Sequence, residues 1–244
     1  MFRFIIVSSG VILFLILSIP LVLIELIIGI FSRKARDYSC LRIVQAVFKY
    51  FLFVTGTKIT VIGKENIPTD GSVLYVCNHR SYFDILVTYS QCRNLTGYVA
   101  KKSMEKAPML NVWMKLLYCL FLDRDNIKEG LKTIIKGSEY LKNGISICIF
   151  PEGTRGTKEG SLLPFKEGSV KMAQKAKCPV IPVAISNTAA IWENQFPRMK
   201  PAHVILEYGK PFYIHELENE DKKFPGAYTQ KMIQEMLNKN TPLV

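Results

Sequence analysis

The chain has 244 residues and a formal net charge of +12, from 32 Lys or Arg and 20 Asp or Glu. Such a basic surface suits nucleic acid, an anionic membrane, or an acidic substrate or carrier protein. The sequence contains no RRM or comparable module, so we expect no nucleic acid among its partners. Its six cysteines are widely spaced without a C-x-x-C pair, which disfavours a disulfide framework and predicts reduced, mostly buried thiols.

An apolar segment near the beginning of the chain, residues 4–31, carries a single charge at Glu25. A helix over this segment would be about 42 Å long, longer than a ~30 Å bilayer core requires, and Pro20 divides it. A cleaved signal peptide has a shorter apolar region and a small-residue cleavage site, and the segment shows neither. Residues 32–42 carry four basic side chains, against only Arg3 before the segment. The positive-inside rule therefore predicts that the remainder faces the cytoplasm.

A second apolar stretch, residues 43–56, contains one lysine and is too short to span a bilayer comfortably. It has the character of an interfacial helix whose basic flank lies on anionic headgroups. We therefore expect residues 1–56 to form a two-helix anchor among the phospholipids of the cell inner membrane, with residues 57–244 as a cytoplasmic domain. The sequence leaves open whether the first helix spans the bilayer or lies in one leaflet.

The remainder of the chain alternates strand and helix patterns. Apolar runs flanked by turns predict strands at 58–63, 72–77, 97–102, 119–124, 145–150 and 179–186, and edge strands within 203–214. Helical patterns fall at 81–92, 107–118, 126–144, 169–177 and 227–239. Strands that alternate with helices predict an α/β fold with a largely parallel central sheet flanked by helices.

Polar residues of different kinds follow four of the predicted strands: His79, Arg124, Glu152 and Asn187. In open α/β sheets, ligands bind outside the carboxyl ends of the strands, which makes this edge the expected site. For any single residue, the polar loop that follows every strand is a sufficient explanation. The spacing of residues within each motif therefore decides the interpretation.

The first motif is N-H-x-x-x-x-D at residues 78–84, between a predicted strand and a predicted helix. With Ser81 capping that helix, Asp84 lies in its first turn and can reach back to His79. A carboxylate on one ring nitrogen fixes the tautomer and leaves the other nitrogen to accept a proton, as a general base for a hydroxyl does. The spacing alone is equally consistent with Asp84 capping the helix beside an uninvolved His79.

The second motif, FPEGTRG at residues 150–156, directly follows a predicted strand. Its proline and glycine predict a turn whose backbone N–H groups can form an anion nest. Thr154 offers a hydroxyl, Arg155 a planar cation suited to phosphate, and Glu152 an acceptor for a polar substrate group. An ordinary turn with solvated charges is the alternative interpretation.

Further cations follow two other predicted strands. Arg124 ends the FLDR segment, where Asp123 is placed to position it, and Lys101 and Lys102 end the strand at 97–102. Several cations near one base predict an anionic substrate that bears a phosphate. Taken singly, each lysine is more simply explained as a solvated surface charge.

Four motifs together resemble the glycerolipid acyltransferase family, and within it the 1-acylglycerol-3-phosphate acyltransferases. NHRSYFD is similar to the family's N-H-x-x-x-x-D motif, CLFLDR to its second motif, FPEGTRG to its third, and VIPVAIS, centred on Pro182, to its fourth. The resemblance covers residues 57–210, with the motifs in family order. One departure is Tyr118, at a position where the second motif usually has glycine.

The resemblance implies roles for the motif residues. His79 would deprotonate a glycerol hydroxyl, oriented by Asp84, and the alkoxide would attack a thioester without an acyl-enzyme intermediate. Other motif residues would hold the phosphate of lysophosphatidic acid, bind the acceptor or shape the pocket: Arg124, Arg155, Lys101, Lys102, Glu152, Gly153, Thr154, Asn78, Pro151 and Pro182. The product would be phosphatidic acid. The resemblance implies no metal or other cofactor, only acyl-CoA or acyl-carrier protein as co-substrate.

Other reaction classes fit the sequence less well. A serine hydrolase needs G-x-S-x-G, and GISIC lacks the closing glycine. A metallohydrolase built on His79 would be short of ligands, because His203 and His215 lie far along the chain. Two alternatives stay open: an acyltransferase acting on glycerol 3-phosphate or another lysophospholipid, and a non-catalytic membrane protein that binds anionic lipids. The second explains the anchor and the charge but not the His79–Asp84 pair.

Overall fold

A computed structural model describes residues 1–244 as seven strands and eight α-helices joined by loops and short 3-10 turns. The helices are α1 Phe2–Phe31, α2 Arg33–Thr55, α3 Phe83–Gln91, α4 Leu110–Leu116, α5 Ile127–Lys142, α6 Lys171–Ala176, α7 Asn219–Lys223 and α8 Pro225–Asn240. The strands are β1 Lys58–Ile62, β2 Leu74–Cys77, β3 Thr96–Lys101, β4 Leu120–Leu122, β5 Ser146–Ile149, β6 Val180–Ser186 and β7 His203–Tyr208.

The strands form one sheet in the order β1-β7-β6-β2-β5-β3-β4. Neighbouring strands are parallel except β6 and β7, whose antiparallel register pairs Val183 with Tyr208. The central strands β2, β5 and β6 are buried along their whole length, as their continuous apolar runs predict. The predicted α/β fold with a largely parallel sheet flanked by helices is confirmed.

The last strand differs from its prediction. Residues 203–214 are predicted as edge strands, but β7 ends at Tyr208 and lies inside the sheet, and Phe212 makes only an isolated bridge to Val180. The prediction is wrong because β1, which comes first among the strands, pairs with the outer side of β7. Edge position depends on such long-range pairing, and the pattern within one segment does not report it.

The second helix is longer than its prediction. α2 begins at Arg33 rather than near residue 43, because Ser32 caps it directly after α1: the Ser32 Oγ accepts the Ala35 N–H at 3.2 Å. The two helices form a closely packed antiparallel hairpin, in which a Cβ atom on Gly10 would lie 2.9 Å from the Phe51 ring. The basic residues after α1 are therefore helical and do not form a connecting loop.

Two apolar cores lie on opposite faces of the sheet. One joins the hairpin to α3 and α4 and includes Leu41 and Val87. The other packs α5, α6 and α8 against the sheet through Leu141, Met172 and Ile233. The hairpin shares its core with the α/β part, and the division of the chain at residue 57 stays a prediction.

The first helix is long and apolar enough to cross a membrane, judged by length and composition. Many of its large apolar side chains are exposed, among them Ile16, Leu23 and Ile27. A continuous exposed surface of this kind indicates membrane association. Its one acidic residue, Glu25, is buried against α2, where the Ser39 hydroxyl donates a hydrogen bond to Glu25 Oε1 at 2.6 Å.

All six cysteines are free thiols, as the sequence predicts. Cys77 and Cys148 lie side by side on β2 and β5 with their Sγ atoms 3.5 Å apart. Burial raises the pKa of the Cys148 thiol well above its usual value, and burial raises the pKa of Cys119 to about 12. Because the thiolate is the reactive form, these side chains are poor nucleophiles near neutral pH.

Candidate active site

The candidate site lies where three adjacent strands end. β2 ends at Cys77, β5 at Ile149 and β6 at Ser186, and these strands are neighbours in the sheet. Because β2 is parallel to both others, their carboxyl ends meet at one edge. The loop after β2 carries His79 and the loop after β5 carries Glu152, so the two main motifs meet there.

His79 and Asp84 form a hydrogen-bonded pair at this edge. His79 Nδ1 lies 2.8 Å from Asp84 Oδ2, and the other ring nitrogen, Nε2, bonds to no protein group. The imidazole stacks on the Phe150 ring, with centroids 4.2 Å apart and planes inclined by 24°. The His79 side chain is 17% exposed and the Asp84 side chain 0%. The carboxylate is thus sealed inside while the imidazole reaches solvent.

Asp84 accepts hydrogen bonds from several donors besides His79. Its Oδ2 accepts the backbone N–H groups of Arg80 at 2.7 Å and Ser81 at 2.8 Å, and its Oδ1 accepts the Thr188 hydroxyl. Because Asp84 acts as an acceptor throughout, we infer that His79 donates from Nδ1. The neutral imidazole then presents a lone pair on Nε2, which is the tautomer that a general base requires.

The residue before the histidine fixes the start of the same loop. Asn78 is 2% exposed, and its side chain pairs with the backbone of Ile185: Nδ2 donates to the carbonyl at 2.9 Å and Oδ1 accepts the N–H at 2.8 Å. This side chain extends the β2–β6 pairing beyond Cys77 and Val183. An aspartate could not replace it, because a carboxylate has no N–H to donate.

Glu152 ties the two motif loops together. Its Oε1 accepts the His79 N–H at 2.7 Å and its Oε2 accepts the Leu163 N–H at 2.9 Å. The Gly156 N–H donates in turn to the His79 carbonyl at 2.8 Å. Burial raises the pKa of the Glu152 carboxyl, although both N–H donors oppose the shift. Glu152 therefore positions the His79 backbone, and its contact with an acceptor stays a prediction.

Two exposed cations converge on the turn after β5. Gly153 has a φ of 74°, and a Cβ atom there would lie 3.4 Å from Lys166 Nζ and 3.9 Å from Arg124 Cζ. The protein contains nine ion pairs, and neither cation belongs to one. The Lys166 N–H donates to the Pro151 carbonyl at 3.2 Å, which holds its segment against the turn. Two cations close together without a carboxylate suit a phosphate group.

Arg155 points to the β2–β6 side of the same turn. Its guanidinium lies over the Tyr82 ring, 4.0 Å from the centroid, and its Nη1 is 3.5 Å from Glu193 Oε1. Glu193 also accepts the Ser81 hydroxyl at 2.7 Å and the Tyr82 N–H at 2.9 Å. Thr154, between the two groups of cations, is exposed. The turn thus has positive charge on both sides.

The remaining predicted cations lie at the ends of β3 and β4. Lys101 is exposed, and Lys102 Nζ pairs with Glu105 Oε2 at 2.8 Å. The expected placement of Arg124 by Asp123 is wrong, because Asp123 Oδ1 instead accepts the N–H of Asp125 at 3.1 Å. The two lysines contribute charge to this edge of the sheet, and their contact with a phosphate stays a prediction.

Comparison with known proteins points to one family. The family model described as Acyltransferase matches residues 58–186, more than half of the chain. The chain belongs to the acyltransferase family. Within that family, a 1-acyl-sn-glycerol-3-phosphate acyltransferase of Salmonella typhimurium is 30% identical to it over 183 residues, which are 75% of this chain and 74% of the Salmonella protein.

Other acyltransferases resemble the chain over part of their length. Proteins named 1-acyl-sn-glycerol-3-phosphate acyltransferase from Saccharomyces cerevisiae and Cocos nucifera are 32% and 30% identical, and the chain spans only 60% and 55% of them. The matches cover 75% and 70% of this chain. The crystal structure of the 1-acyl-sn-glycerophosphate (LPA) acyltransferase PlsC from Thermotoga maritima has the same fold: the TM-score is 0.82 at 24% identity, over 98% of this chain and 94% of that one.

The departure from the acyltransferase pattern at Tyr118 has a structural explanation. Tyr118 has a φ of 60°, a left-handed conformation that glycine adopts without steric cost. Its hydroxyl donates to Asp37 of α2, and its ring packs edge-on against Tyr140 with centroids 5.2 Å apart. A Cβ atom on Gly97 would lie 2.2 Å from the Tyr118 carbonyl oxygen, so β3 needs its glycine there. The tyrosine side chain thus joins the hairpin to this edge of the sheet.

Pro182 lies apart from the other acyltransferase motif residues. It sits in the body of β6 opposite Val76, and its carbonyl accepts the Gly209 N–H at 2.8 Å. A part in shaping the pocket stays a prediction. No group of three or more His, Cys, Asp or Glu side chains in the protein is arranged to hold a metal ion, and the metal-free reaction likewise stays a prediction.

Three site residues lie outside the motifs: Thr188, Glu193 and Lys166. Thr188 follows Asn187, which has a φ of 69° and donates from Nδ2 to the His203 carbonyl at 3.0 Å. Thr188 is the residue directly after Asn187, the polar residue that the sequence places at the end of this strand. Including one more residue after each strand would have found it. Glu193 and Lys166 carry no such signal, because the loops that bring them to the site have no recognisable spacing.

Proposed function

We propose that the protein transfers a fatty acyl group from a thioester donor to the free hydroxyl of 1-acylglycerol 3-phosphate, giving phosphatidic acid for phospholipid biosynthesis. The proposal rests on the His79–Asp84 pair, whose Nε2 has no protein partner, beside a turn with unpaired cations. A base next to a phosphate-binding turn suits an acceptor that carries both a hydroxyl and a phosphate. The names of the Salmonella and yeast relatives support the same reaction.

In the proposed mechanism, His79 Nε2 removes the proton from the glycerol hydroxyl while the hydroxyl oxygen attacks the thioester carbonyl carbon. The Asp84 carboxylate, bonded to Nδ1, stabilises the imidazolium that forms. When the tetrahedral intermediate collapses, the carbon–sulfur bond breaks and the imidazolium returns its proton to the leaving thiolate. One ester replaces one thioester, and His79 ends in its initial state.

The surroundings of His79 favour direct transfer over an acyl-enzyme. Cys77, the cysteine nearest to it in sequence, is buried and faces Cys148 on the adjacent strand. The Ser81 hydroxyl donates its hydrogen bond to Glu193. No hydroxyl or thiol of the protein bonds to Nε2, so the arrangement that activates a side-chain nucleophile is missing.

We assign the phosphate of the acceptor to the cations around the turn after β5. Arg124 and Lys166 would bind it at Gly153, within reach of the Thr154 hydroxyl. Arg155 is 38% exposed and would turn from Tyr82 towards another phosphate oxygen. The lysines at the end of β3 would add to the positive potential that attracts the anionic lipid. No cofactor takes part, and the donor is acyl-CoA or acyl-carrier protein.

We also propose that the hairpin lies in one leaflet of the cell inner membrane. Phe4 packs on Trp192 with centroids 5.9 Å apart, and the Trp113 Nε1–H donates to Ser18 Oγ at 2.9 Å. The first half of α1 therefore lies along the α/β part, and its exposed side chains face lipid. The basic residues at 32–42 favour the cytoplasmic face. Trypsin should digest the protein in inverted membrane vesicles but not in intact spheroplasts.

The function is tested by a panel of donors and acceptors in mixed micelles. We expect the purified protein to acylate lysophosphatidic acid faster than glycerol 3-phosphate or other lysophospholipids. His79→Ala should lower the rate at least about 10³-fold, because it removes the base, while the circular dichroism spectrum stays unchanged. The matched control is His215→Ala, which changes an exposed histidine outside the site.

Two results would contradict the proposal. Substantial transfer by the His79→Ala protein would remove the histidine from the mechanism. Binding of the wild-type protein to anionic vesicles, with no transfer from any donor, would instead identify a lipid-binding protein without catalytic activity.

A further inference from the structure

One helix presents an apolar row to solvent. Ile127, Leu131 and Ile135 follow one another at i, i+4 and i+8 along α5, and they are 90%, 50% and 43% exposed. Side chains four residues apart lie on the same face of a helix. Single exposed apolar residues are ordinary on protein surfaces, whereas an aligned row marks an interaction site.

Lysines alternate with this row: Lys128, Lys132 and Lys136. We call these three lysines and the three apolar residues the α5 ridge. Lys132 pairs with Glu129 at 2.6 Å but stays 72% exposed, so the pair contributes little and leaves its charge accessible. The neighbouring helix α6 adds exposed Lys171 and Lys175. An apolar row among cations complements a partner with an acidic rim around an apolar patch.

The ridge and the membrane hairpin lie on opposite faces of the sheet. α5 packs into the core that contains Leu141 and Met172, and the hairpin packs into the core that contains Leu41. A flat bilayer cannot contact the outward surfaces of both. Because the hairpin already presents the large lipid-like surface, the α5 ridge faces water. Its partner is therefore a soluble molecule and not a lipid surface.

The ridge also begins beside the candidate site. α5 starts three residues after Arg124, and its first turn is fixed by Asn126, whose Oδ1 accepts the N–H groups of Lys128 and Glu129 at 3.1 and 3.2 Å. The ridge is thus held rigidly from its first residue, Ile127. A protein bound to it would have its own surface next to the phosphate-binding turn.

We propose that the α5 ridge docks an acidic carrier protein that delivers the acyl group to the site as a thioester. This inference rests on the proposed acyl transfer and names the partner for its donor side. The lysines would attract the carrier and set its rate of association, and the apolar row would supply the contact that holds it.

The test compares two donors, acyl-carrier protein and acyl-CoA, in wild type and two double variants. These are Ile127→Ser with Leu131→Ser, and Lys128→Glu with Lys132→Glu. For acyl-carrier protein, kcat/KM should fall about tenfold in each variant, because truncated interface anchors and reversed charges weaken association. For acyl-CoA it should stay within about twofold, because no carrier is docked. Leu243→Ser with Lys231→Glu is the matched control and should change neither value.

Several outcomes would overturn the docking proposal while leaving acyl transfer intact. The first is an equal loss of kcat/KM with both donors in the variants, and the second is no loss of kcat/KM with the carrier protein. The third is failure of the wild-type protein to use the carrier protein although it uses acyl-CoA.

Two more measurements distinguish other occupants of the ridge. Reduced binding of the variants to phosphatidylcholine–phosphatidylglycerol vesicles would assign the ridge to the membrane. A changed mass by light scattering would assign it to a second copy of the chain. Absence of transfer from either donor would instead refute the proposed function itself.

Discussion

The two sides of the candidate site are held in different ways. On the side of β2 and β6, Asp84 and Asn78 are buried and bonded at both polar atoms of their side chains. On the side of β4 and β5, Arg124, Thr154 and Lys166 are exposed, and neither of the two cations has an ion-pair partner. We therefore expect the proposed base to be in place before any substrate arrives, and the exposed cations to become ordered only when an anion binds.

This difference separates two kinds of contribution to the reaction. A preorganised base needs no rearrangement as charge develops, so its contribution belongs to the chemical step. A free lysine or arginine loses up to about 2 kcal/mol of rotamer freedom when it is immobilised, and it gains strong hydrogen bonds to phosphate in exchange. We therefore expect changes on the buried side to lower kcat and changes on the exposed side to raise the KM for the acceptor.

After His79→Ala, the largest effect is expected from Asp84→Asn. With its oxygen at the Oδ2 position, the amide would still accept the Arg80 and Ser81 N–H groups and could donate to Thr188, so the fold should persist. The negative charge that stabilises the imidazolium is lost. We expect kcat to fall about 10³-fold with the acceptor KM nearly unchanged. Steady-state kinetics with lysophosphatidic acid measure kcat and KM. A change confined to KM would contradict the assignment of kcat effects to the buried side and KM effects to the exposed side.

A smaller loss is expected from Glu152→Gln. The amide offers one acceptor, so either the His79 or the Leu163 N–H must face an NH₂ group. An unsatisfied buried donor costs about 1–3 kcal/mol. We expect kcat to fall about 10- to 100-fold, because the His79 backbone shifts. An unchanged kcat with lower stability would show that Glu152 supports only the fold.

The same variant has a signature in pH. Burial raises the pKa of Glu152, so the folded protein holds this proton to a higher pH than the unfolded chain does. The stabilisation that the protonated Glu152 gives to the folded protein is therefore present at low pH. It is lost, and the free energy of unfolding falls, as pH rises through the raised pKa. Glu152→Gln has no proton to lose there. Urea denaturation at several acidic pH values should show that the free energy of unfolding falls less steeply with rising pH in the variant than in wild type.

On the exposed side, Lys166→Ala should raise the KM for lysophosphatidic acid about tenfold and leave kcat within about threefold. Its ammonium lies beside Gly153 with Arg124 and has no acidic partner to release. Lys231→Ala on α8 is the matched control. If kcat fell instead of KM rising, Lys166 would act in the chemical step and the two sides would not be distinct.

The smallest effect is expected from Thr188→Val, which keeps the size of the side chain but removes the donor to Asp84 Oδ1. The three contacts to Oδ2 remain, so His79 keeps its orientation. We expect kcat to fall about fivefold, the equivalent of one modest hydrogen bond. A loss of kcat as large as that of Asp84→Asn would mean that the Thr188 hydroxyl is needed to hold the Asp84 carboxylate in its orientation.

The parts of the site that the sequence predicts are local. His79 and Asp84 are five residues apart on one loop and the first turn of one helix, so spacing alone brings them within reach. The other partners are distant in sequence: Glu193 is 112 residues from Ser81, and Thr188 is 104 residues from Asp84. Their approach depends on the course of loops after β6, for which composition and period give no rule.

The fold shows the same division between local and distant information. Buried strands could be predicted because each is a continuous apolar run, and their parallel order follows from the intervening helices. The beginning of α2 was concealed because its first turns are basic, while the Ser32 cap and packing on α1 make them helical. The interior place of β7 depends on β1, whose Lys58 pairs with His203.

The amino-terminal end of α1 lies close to the cations that we propose bind the acceptor. Phe4 stacks near Trp192, Trp192 lies 5.8 Å from Tyr82, and Tyr82 carries the Arg155 guanidinium. Met1 is 63% exposed at this corner. If the acceptor binds as proposed, a bulky affinity tag joined there would crowd the approach to these cations and depress activity for reasons unrelated to folding. A small environment-sensitive dye at the same position should change its fluorescence when a lipid binds nearby.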